Sequence, residues 1–176
     1  MSMTAVEPTG ITVAGKVCLY FVPAIANPAA PKLTEMNAAA SVNLTKIVYA
    51  WDPNGVQAVS DRSHYGSKTA GKSLGRTAYD PAELEYDDHP QNATPGTGEY
   101  AHVGKLTPGL TGFLVDRRGL DVDLALAVGQ KVDVYPCKLG DQIPMAAVGT
   151  NEGETLRLHQ KIVVVGDPVR SVALVA

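Results

Sequence analysis

The chain has 176 residues, a formal net charge of −3 at pH 7 and 45% hydrophobic residues. Its length suits one domain of ordinary size, and its acidic balance argues against a protein that mainly binds nucleic acid, because such domains are usually strongly basic. No run approaches the roughly 18 apolar residues of a membrane span, and the first ten residues lack the basic and apolar segments of a signal peptide. We therefore expect no membrane partner.

The first third of the chain predicts two strands and a short helix. Residues 11–22 and 41–51 are rich in β-branched and aromatic side chains, which is typical of strands. Residues 33–40 predict one or two helical turns, because Pro31 stands near their start. Residues 1–12 are expected to form an N-terminal arm.

A long loop between strands is predicted over residues 58–98. Val59, Leu74 and Leu84 are its only large aliphatic residues, so it cannot bury much surface by itself. Within it, residues 83–88 (ELEYDD) alternate in the manner of a strand.

Five more strands are predicted in the second half, at residues 99–106, 112–118, 130–138, 155–165 and 168–175. Residues 121–128 (DVDLALAV) suit either a short helix or a strand. Many short strands separated by Gly and Pro turns predict a mainly β fold, an antiparallel β-sandwich or barrel. We expect a single domain over residues 1–176, with one short flanking helix and a C-terminal strand or arm over residues 168–176.

Residues 66–73 (GSKTAGKS) match the phosphate-binding pattern G-x-x-x-x-G-K-[ST] from Gly66 to Ser73. That chemistry needs a buried strand before the loop and a helix after it, whose N-terminal amides contact the phosphates. The preceding residues are polar, and Gly75 and Pro81 follow soon after, so no helix is expected. Nucleotide binding through Lys72 and Ser73 is therefore a weak alternative, and we interpret the segment as a flexible basic loop.

The charges of the long loop are segregated by sign. Its first part carries four bases, namely Arg62, Lys68, Lys72 and Arg76. Its second part carries five acids, namely Asp80, Glu83, Glu85, Asp87 and Asp88. Opposite charges of this kind can pair between neighbouring copies of a chain, so these nine residues are candidate contacts between subunits. A solvated mobile loop is the alternative.

We find no convincing catalytic or metal-binding pattern. The four histidines have no ligand spacing with Cys18 or Cys137. Asp87, Asp88 and His89 could orient a base, but no nucleophile motif accompanies them. The sequence predicts neither an enzyme nor a cofactor.

Several segments resemble the major tail protein, or tail tube protein, of bacteriophages with long non-contractile tails, particularly phages of actinobacteria. They are residues 22–28 with 30–37, 106–109 with 112–119, 129–136, and 156–160 with 163–166. The resemblance extends from about residue 13 to the end of the chain. Residues 59–76, which include GSKTAGKS, do not match it.

The resemblance implies a β-sandwich or barrel whose subunits form hexameric rings that stack around a channel for the genome. It implies no cofactor and no catalysis. The implied partners are copies of the chain itself, a tape measure protein and a tail terminator. The expected location is the tail of the virion, after assembly in the host cytoplasm.

DNA is expected to pass through such a lumen without specific binding, because basic contacts add salt-sensitive affinity. On a strand, Glu83, Glu85 and Asp87 share one face, so they are candidates for the lumen wall, with contacts between rings as the alternative. A head–tail joining or decoration protein is a further virion role that the sequence leaves open.

Overall fold

The computed structural model describes residues 10–53, 55–62, 64–66, 68–69, 71–91, 100–146 and 155–176. These residues form ten strands and two short helices. The strands are β1 (Val17–Val22), β2 (Val42–Asn43), β3 (Val48–Ala50), β4 (Gly55–Arg62), β5 (Gly71–Tyr79), β6 (Ala82–Asp87), β7 (Thr111–Arg118), β8 (Lys131–Pro144), β9 (Arg157–Val164) and β10 (Val169–Ala173). The helices are α1 (Leu33–Met36) and α2 (Ala101–Lys105). The mainly β, antiparallel fold class predicted from the sequence is confirmed.

Eight of the strands form one curled antiparallel sheet, a half-barrel with the order β2-β1-β7-β8-β9-β6-β3, and β10 pairs with β8. The long β8 pairs with β7 and β10 over its first half and with β9 over its second half. The β8–β9 register shifts between Leu139 and Gln142. Gly140 lies in this irregularity, where an added Cβ would stand 3.0 Å from the Lys161 carbonyl oxygen. A bulge bends its strand, so β8 helps to curl the sheet.

The sheet has an apolar cluster on each face. The inner cluster is contributed by strands from both ends of the sheet, with Phe21, Leu84, Leu114, Tyr135 and Ile162 among its fully buried members. The outer cluster is smaller and lies over β1, β7 and β8, where α1, residues 119–130 and the C-terminal residues cover it. Consequently β1, β7 and β8 are buried on both faces, whereas β6 and β9 alternate between buried and more exposed residues.

Residues 121–128, for which the sequence suited a helix or a strand, form neither. The guanidinium of Arg117 is fully buried beneath them and donates hydrogen bonds of 2.8 Å to the carbonyls of Asp121 and Leu124. It also donates to the Gln130 side chain at 3.0 Å. These carbonyls pair with the two terminal nitrogens of the buried guanidinium, so the segment is held in an irregular conformation.

The predicted strand over residues 99–106 is wrong, because residues 101–105 form α2. His102 and Leu106 stand four residues apart and are both buried. The side chains of Gln142 and Gln160 donate to the Leu106 carbonyl at 3.2 and 2.9 Å. Side chains of the sheet therefore satisfy the carbonyl at the end of the helix. The local sequence gives no indication of this tertiary contact.

The predicted long loop also needs correction, since residues 58–98 contain most of β4 and all of β5 and β6. Residues 92–98 lie outside the described residues. Strands β4 and β5 form a separate hairpin built from small and polar side chains that pair through their backbones without burying a core. The scarcity of large aliphatic residues therefore indicated an exposed hairpin rather than an irregular loop.

The other predicted elements are confirmed with changed bounds: β7 begins one residue earlier than predicted, β8 extends six residues further, to Pro144, and the rest are shorter. The first strand begins at Val17, and the helical turn predicted after Pro31 is α1. The strand predicted over residues 41–51 is split into β2 and β3, because the Asn43 carboxamide oxygen accepts a 3.0 Å hydrogen bond from the Thr45 amide and turns the chain. Of the predicted N-terminal arm, residues 1–9 lie outside the described residues.

Candidate assembly surfaces

The β4–β5 hairpin forms a separate two-stranded sheet outside the main one. Its strands pair from Gly55 with Tyr79 to Arg62 with Gly71, and nearly every residue in them is exposed. Val59 stands opposite Leu74, and the two side chains are 57% and 72% exposed. An isolated two-stranded hairpin is marginally stable in water. The hairpin therefore offers both of its faces and its apolar cross-strand pair to another surface.

The GSKTAGKS segment lies in this hairpin and lacks the geometry of a phosphate-binding loop. Gly66, Lys68 and Thr69 lie in the connection between β4 and β5, while Gly71, Lys72 and Ser73 begin β5. Ser67 and Ala70 lie outside the described residues. No helix begins at the Lys-Ser end, so the amides and the dipole that would bind phosphate are missing. The prediction that no helix follows the motif is confirmed, whereas the interpretation as a flexible loop is wrong for Gly71, Lys72 and Ser73, which lie in β5.

The four bases of the charge-segregated stretch all belong to the hairpin. The ammonium of Lys72 stands 3.8 Å from the carboxylate of Asp61 on the opposite strand, in a pair too exposed to stabilise the fold by much. The hydroxyls of Ser60 and Ser73 are 2.8 Å apart. Arg62, Lys68 and Arg76 are exposed and form no ion pair among the described residues.

The acids of the same stretch lie at or beyond the base of the hairpin and in the main sheet. Asp80 and Pro81 connect β5 to β6, and Asp88 follows β6, where its amide donates to the Leu156 carbonyl at 2.8 Å. On β6, Glu83, Glu85 and Asp87 point away from the buried Ala82, Leu84 and Tyr86, as the alternation predicted. Glu83 stands opposite Lys161 on β9, and Glu85 stands opposite His159.

Asp87 is more strongly engaged within the subunit than its two neighbours. Its carboxylate accepts hydrogen bonds from the hydroxyls of Tyr49 at 2.7 Å and Thr155 at 3.0 Å. The guanidinium of Arg157 lies 3.9 Å from the centre of the Tyr49 ring. These contacts join β3, β6 and β9 at the edge of the sheet. On the same face, Glu83 is exposed and Glu85 is half-buried.

A cavity of about 400 Å³ lies at the open end of the half-barrel, between β1, β7 and β8 on one side and residues 44–53 on the other. Its wall combines apolar side chains, including Leu19 and Val48, with the ring of Tyr135. Trp51 packs edge-on against Tyr135, with ring centroids 6.0 Å apart. Asp116 and Arg118 supply charge at the same wall.

Asp116 belongs to a buried carboxylate pair. It stands directly opposite Asp133 on β8, and both residues are buried. The Arg118 guanidinium forms salt bridges to both, at 3.2 Å to Asp116. Burial raises the pKa of Asp116 to about 6, with Arg118 lowering it and Asp133 raising it. Asp133 also accepts the Ser171 amide at 2.7 Å, which fixes β10 at a residue with a φ of 54°.

Sequence reasoning missed this cluster. The available signal was the presence of Asp116 and Asp133 inside otherwise apolar strands, where an ionisable side chain is unusual unless it is paired. Among the described residues, no cluster of histidine, cysteine, aspartate and glutamate could hold a metal ion. In the part of the chain that the structure describes, no helix has the length and apolar character needed to cross a membrane.

Comparison with known proteins places this architecture in a family. The family model described as "Phage tail tube protein" matches residues 4–176, which is nearly the whole chain. A chain in the solved structure titled "Cryo-EM structure of the anti-feeding prophage (AFP) baseplate, 6-fold symmetrised" aligns over 96% of both chains, with 14% sequence identity and a TM-score of 0.49. No curated protein matches.

The chain belongs to the phage tail tube protein family. It is therefore a structural component of the phage tail and not a member of an enzyme family. The resemblance found in the sequence is confirmed.

Proposed function

We propose that the chain forms hexameric rings that stack into the tail tube, the channel through which the genome is delivered to the host. The observation that carries the proposal is the β4–β5 hairpin, which is exposed on both faces. A contact between a projecting element and a different surface of the next copy is heterologous, and such contacts generate closed rings or open filaments. One set of contacts would close the ring, and a second set along the tube axis would stack one ring on the next.

The charges support contacts between copies. Among its described residues the hairpin carries four bases and one acid, Asp61, whereas β6 and its flanks carry the five acids from Asp80 to Asp88. Arg62, Lys68, Lys72 and Arg76 would therefore contact a carboxylate-bearing surface of a neighbouring copy. Asp80 and Asp88, at the two ends of β6, belong to the acidic surface that would receive them.

The outer face of β6 and β9 is the surface we assign to the lumen. Glu83 and Glu85 oppose Lys161 and His159 across the two strands, so the face mixes charges of both signs. DNA would not be retained by such a wall, because few phosphates would be neutralised. Asp87 would add a carboxylate at the edge of this face, where it also accepts the hydrogen bond from the Tyr49 hydroxyl.

The remaining parts of the proposal follow from family membership. The chain is one tail-tube domain over residues 1–176, it assembles in the host cytoplasm, and its partners in the tail include a tape measure protein and a tail terminator. It acts without a cofactor.

Negative-stain electron microscopy of the purified protein tests the assembly. We expect rings and tubes of uniform bore, and we expect the double variant Val59→Ser/Leu74→Ser to lose them while its thermal unfolding remains that of a folded subunit. The matched control Ser60→Ala/Ser73→Ala changes the opposite face of the same strands and removes only one exposed hydrogen bond. A strictly monomeric protein at high concentration contradicts the proposal, and rings that never stack favour a head–tail joining role.

Charge reversal separates the two roles open to the acidic face. Glu83→Lys/Glu85→Lys should leave tubes intact and make them retain DNA in a salt-sensitive manner, because the added lysines would bind DNA phosphates in the lumen. Loss of tubes in this variant would instead assign Glu83 and Glu85 to contacts between subunits. Asp123→Lys, at an exposed carboxylate paired with Lys46, is the control.

A further inference from the structure

The β4–β5 hairpin is not continued by the backbone pairing of the main sheet. Its ladder ends at the pair Gly55 and Tyr79, and Asp80 and Pro81 separate β5 from β6. Proline has no backbone N–H to donate, and among the described residues neither strand of the hairpin pairs with a strand of the main sheet. The direction in which the hairpin points is therefore left to side chains at its base.

Tyr79 provides a contact of this kind. Its half-buried ring lies against Gly55 on the opposite strand, where an added Cβ would stand 2.8 Å from a ring carbon. Its hydroxyl lies 3.5 Å from the guanidinium of Arg170 on β10, so the pair joins the hairpin to the main sheet. A groove of about 470 Å³ lies beside this contact and is lined by Arg76, Thr77, Tyr79, Asp167 and Pro168. The base of the hairpin therefore meets the turn between β9 and β10 across a groove rather than through close packing.

Arg170 reaches Tyr79 from a bulge in β10. From Val169 to Val172 the chain advances three residues, while the partners of these residues on β8 advance only two. Side chains alternate between the two faces of a regular strand, whereas Arg170 and Ser171 are consecutive and both exposed. A bulge changes the direction of a side chain in this way, so it accounts for the contact with the hairpin.

The bulge contains a strained residue that a buried carboxylate stabilises. Ser171 has a φ of 54°, a left-handed conformation that residues other than glycine, asparagine and aspartate rarely adopt. The Asp133 carboxylate accepts the Ser171 amide at 2.7 Å and is itself paired with Arg118. Strained residues persist where the surrounding structure fixes them, and they occur preferentially at functional positions. The strain at Ser171 therefore indicates a role for the bulge.

We propose that the bulge of β10, held by Asp133, is a positioning device that aims Arg170 at Tyr79 and so fixes the direction of the β4–β5 hairpin in the free subunit. The inference deepens the proposed tube function, and its consequence for assembly rests on that function. An element that is already oriented loses less conformational freedom when it binds. The device therefore favours assembly without contributing a contact between copies.

The distance between two spin labels measures the direction of the hairpin. Lys68, in the connection between β4 and β5, and Lys161, on β9, are both exposed, and Lys68→Cys/Lys161→Cys provides the two labelling sites. Cys18 and Cys137 are buried, so they compete little for the label. Double electron–electron resonance of the dilute, unassembled subunit should give one narrow distance distribution. A broad distribution in this subunit would overturn the proposal.

Two substitutions remove the contact from either side. Arg170→Gln removes the guanidinium, and Tyr79→Phe removes the hydroxyl while keeping the ring against Gly55. Each should replace the narrow distribution by a broad one. The control Arg76→Gln removes a base that lines the same groove and should leave the distribution narrow. If Arg170→Gln also keeps the narrow distribution, Arg170 does not position the hairpin and the proposal is wrong.

The bulge itself is tested at Ser171. Ser171→Val opposes the left-handed conformation, because a β-branched residue is strongly disfavoured there, and it should broaden the distribution. Ser171→Gly retains the amide that Asp133 accepts and adopts a positive φ freely, so it should keep the distribution narrow. A reversal of these two results would contradict the role of the bulge.

Sedimentation distinguishes this inference from the proposed function. Because a hairpin that can pivot loses more freedom on binding, Arg170→Gln should raise the concentration needed for tube formation about threefold. Ser171→Val, which removes no charge, should give a similar rise, and unchanged assembly of both variants would refute the effect of the device on assembly. The spin-label distances are measured on free subunits, so they test the device even if tubes never form. A protein that forms no rings or tubes under any condition refutes the tube function alone.

Discussion

Replacing Asp116 by Asn measures the cost of the buried carboxylate pair. Burial raises the pKa of Asp116 from 3.8 to about 6. Because one pKa unit corresponds to about 1.4 kcal/mol, the ionised form of Asp116 costs the free subunit about 3 kcal/mol of folding free energy. The cost already includes the attraction of Arg118 and the repulsion of Asp133.

The sign of the pH dependence follows from linkage. The folded-state pKa lies above the unfolded value, which is the reverse of the usual case for a salt-bridged aspartate. Both states are protonated only well below the unfolded value of 3.8, where the cost is absent. It grows as the pH rises through the interval between the two pKa values and is fully present above about pH 6.

Asparagine is neutral at every pH and keeps the shape of the side chain. The unfolding free energy of Asp116→Asn minus that of the unaltered chain should therefore increase by about 2.5 kcal/mol between about pH 4 and about pH 7.5. Urea unfolding of the unassembled subunit at both pH values measures this difference. The control Asp123→Asn, at an exposed carboxylate, should change the free energy by less than about 1 kcal/mol at either pH. A difference between Asp116→Asn and the unaltered chain that does not vary with pH would refute the reasoning.

Three further outcomes are expected. Arg117→Met should lower the free energy of unfolding by about 1–3 kcal/mol, because it removes the hydrogen bonds by which the buried guanidinium holds the carbonyls of Asp121 and Leu124; equilibrium unfolding that matches the unaltered chain would contradict this. Gly112→Ala should cost about 1–3 kcal/mol in the same assay, since its Cβ would stand 2.7 Å from the Phe21 ring and 3.0 Å from the Val22 carbonyl oxygen. ATP with magnesium should leave the melting temperature unchanged, whereas a rise that Lys72→Ala abolishes would restore nucleotide binding as a function.

The sequence predicted those strands that bury apolar residues. Residues 17–22, 111–118 and 131–138 are dense in β-branched and aromatic side chains, and their burial is enough to hold them in a sheet. The alternation of residues 83–88 placed Glu83, Glu85 and Asp87 on one face, since the side-chain period of a strand is fixed by backbone geometry. The turns and the charge segregation could also be predicted from the sequence, because they depend on residue type and order alone.

The predictions from sequence were wrong where a residue distant along the chain determines the local structure. Residues 101–105 are helical because Gln142 and Gln160 bond the carbonyl of Leu106, and residues 121–128 are irregular because Arg117 binds their carbonyls. The hairpin was missed for another reason: β4 and β5 pair through backbone hydrogen bonds, and these carry no side-chain pattern.

The sequence by itself determined a β-rich fold without catalytic motifs, since composition and the order of strands and turns specify those properties, and its resemblance to tail tube proteins indicated the class of protein. Only the tertiary structure placed Gly71, Lys72 and Ser73 on the exposed β4–β5 hairpin and brought Asp116 opposite Asp133. Register and packing bring together residues that are distant along the chain, and no local pattern encodes which of them will meet. The candidate assembly surfaces consist of residues brought together in this way, so they could be identified only in the folded subunit.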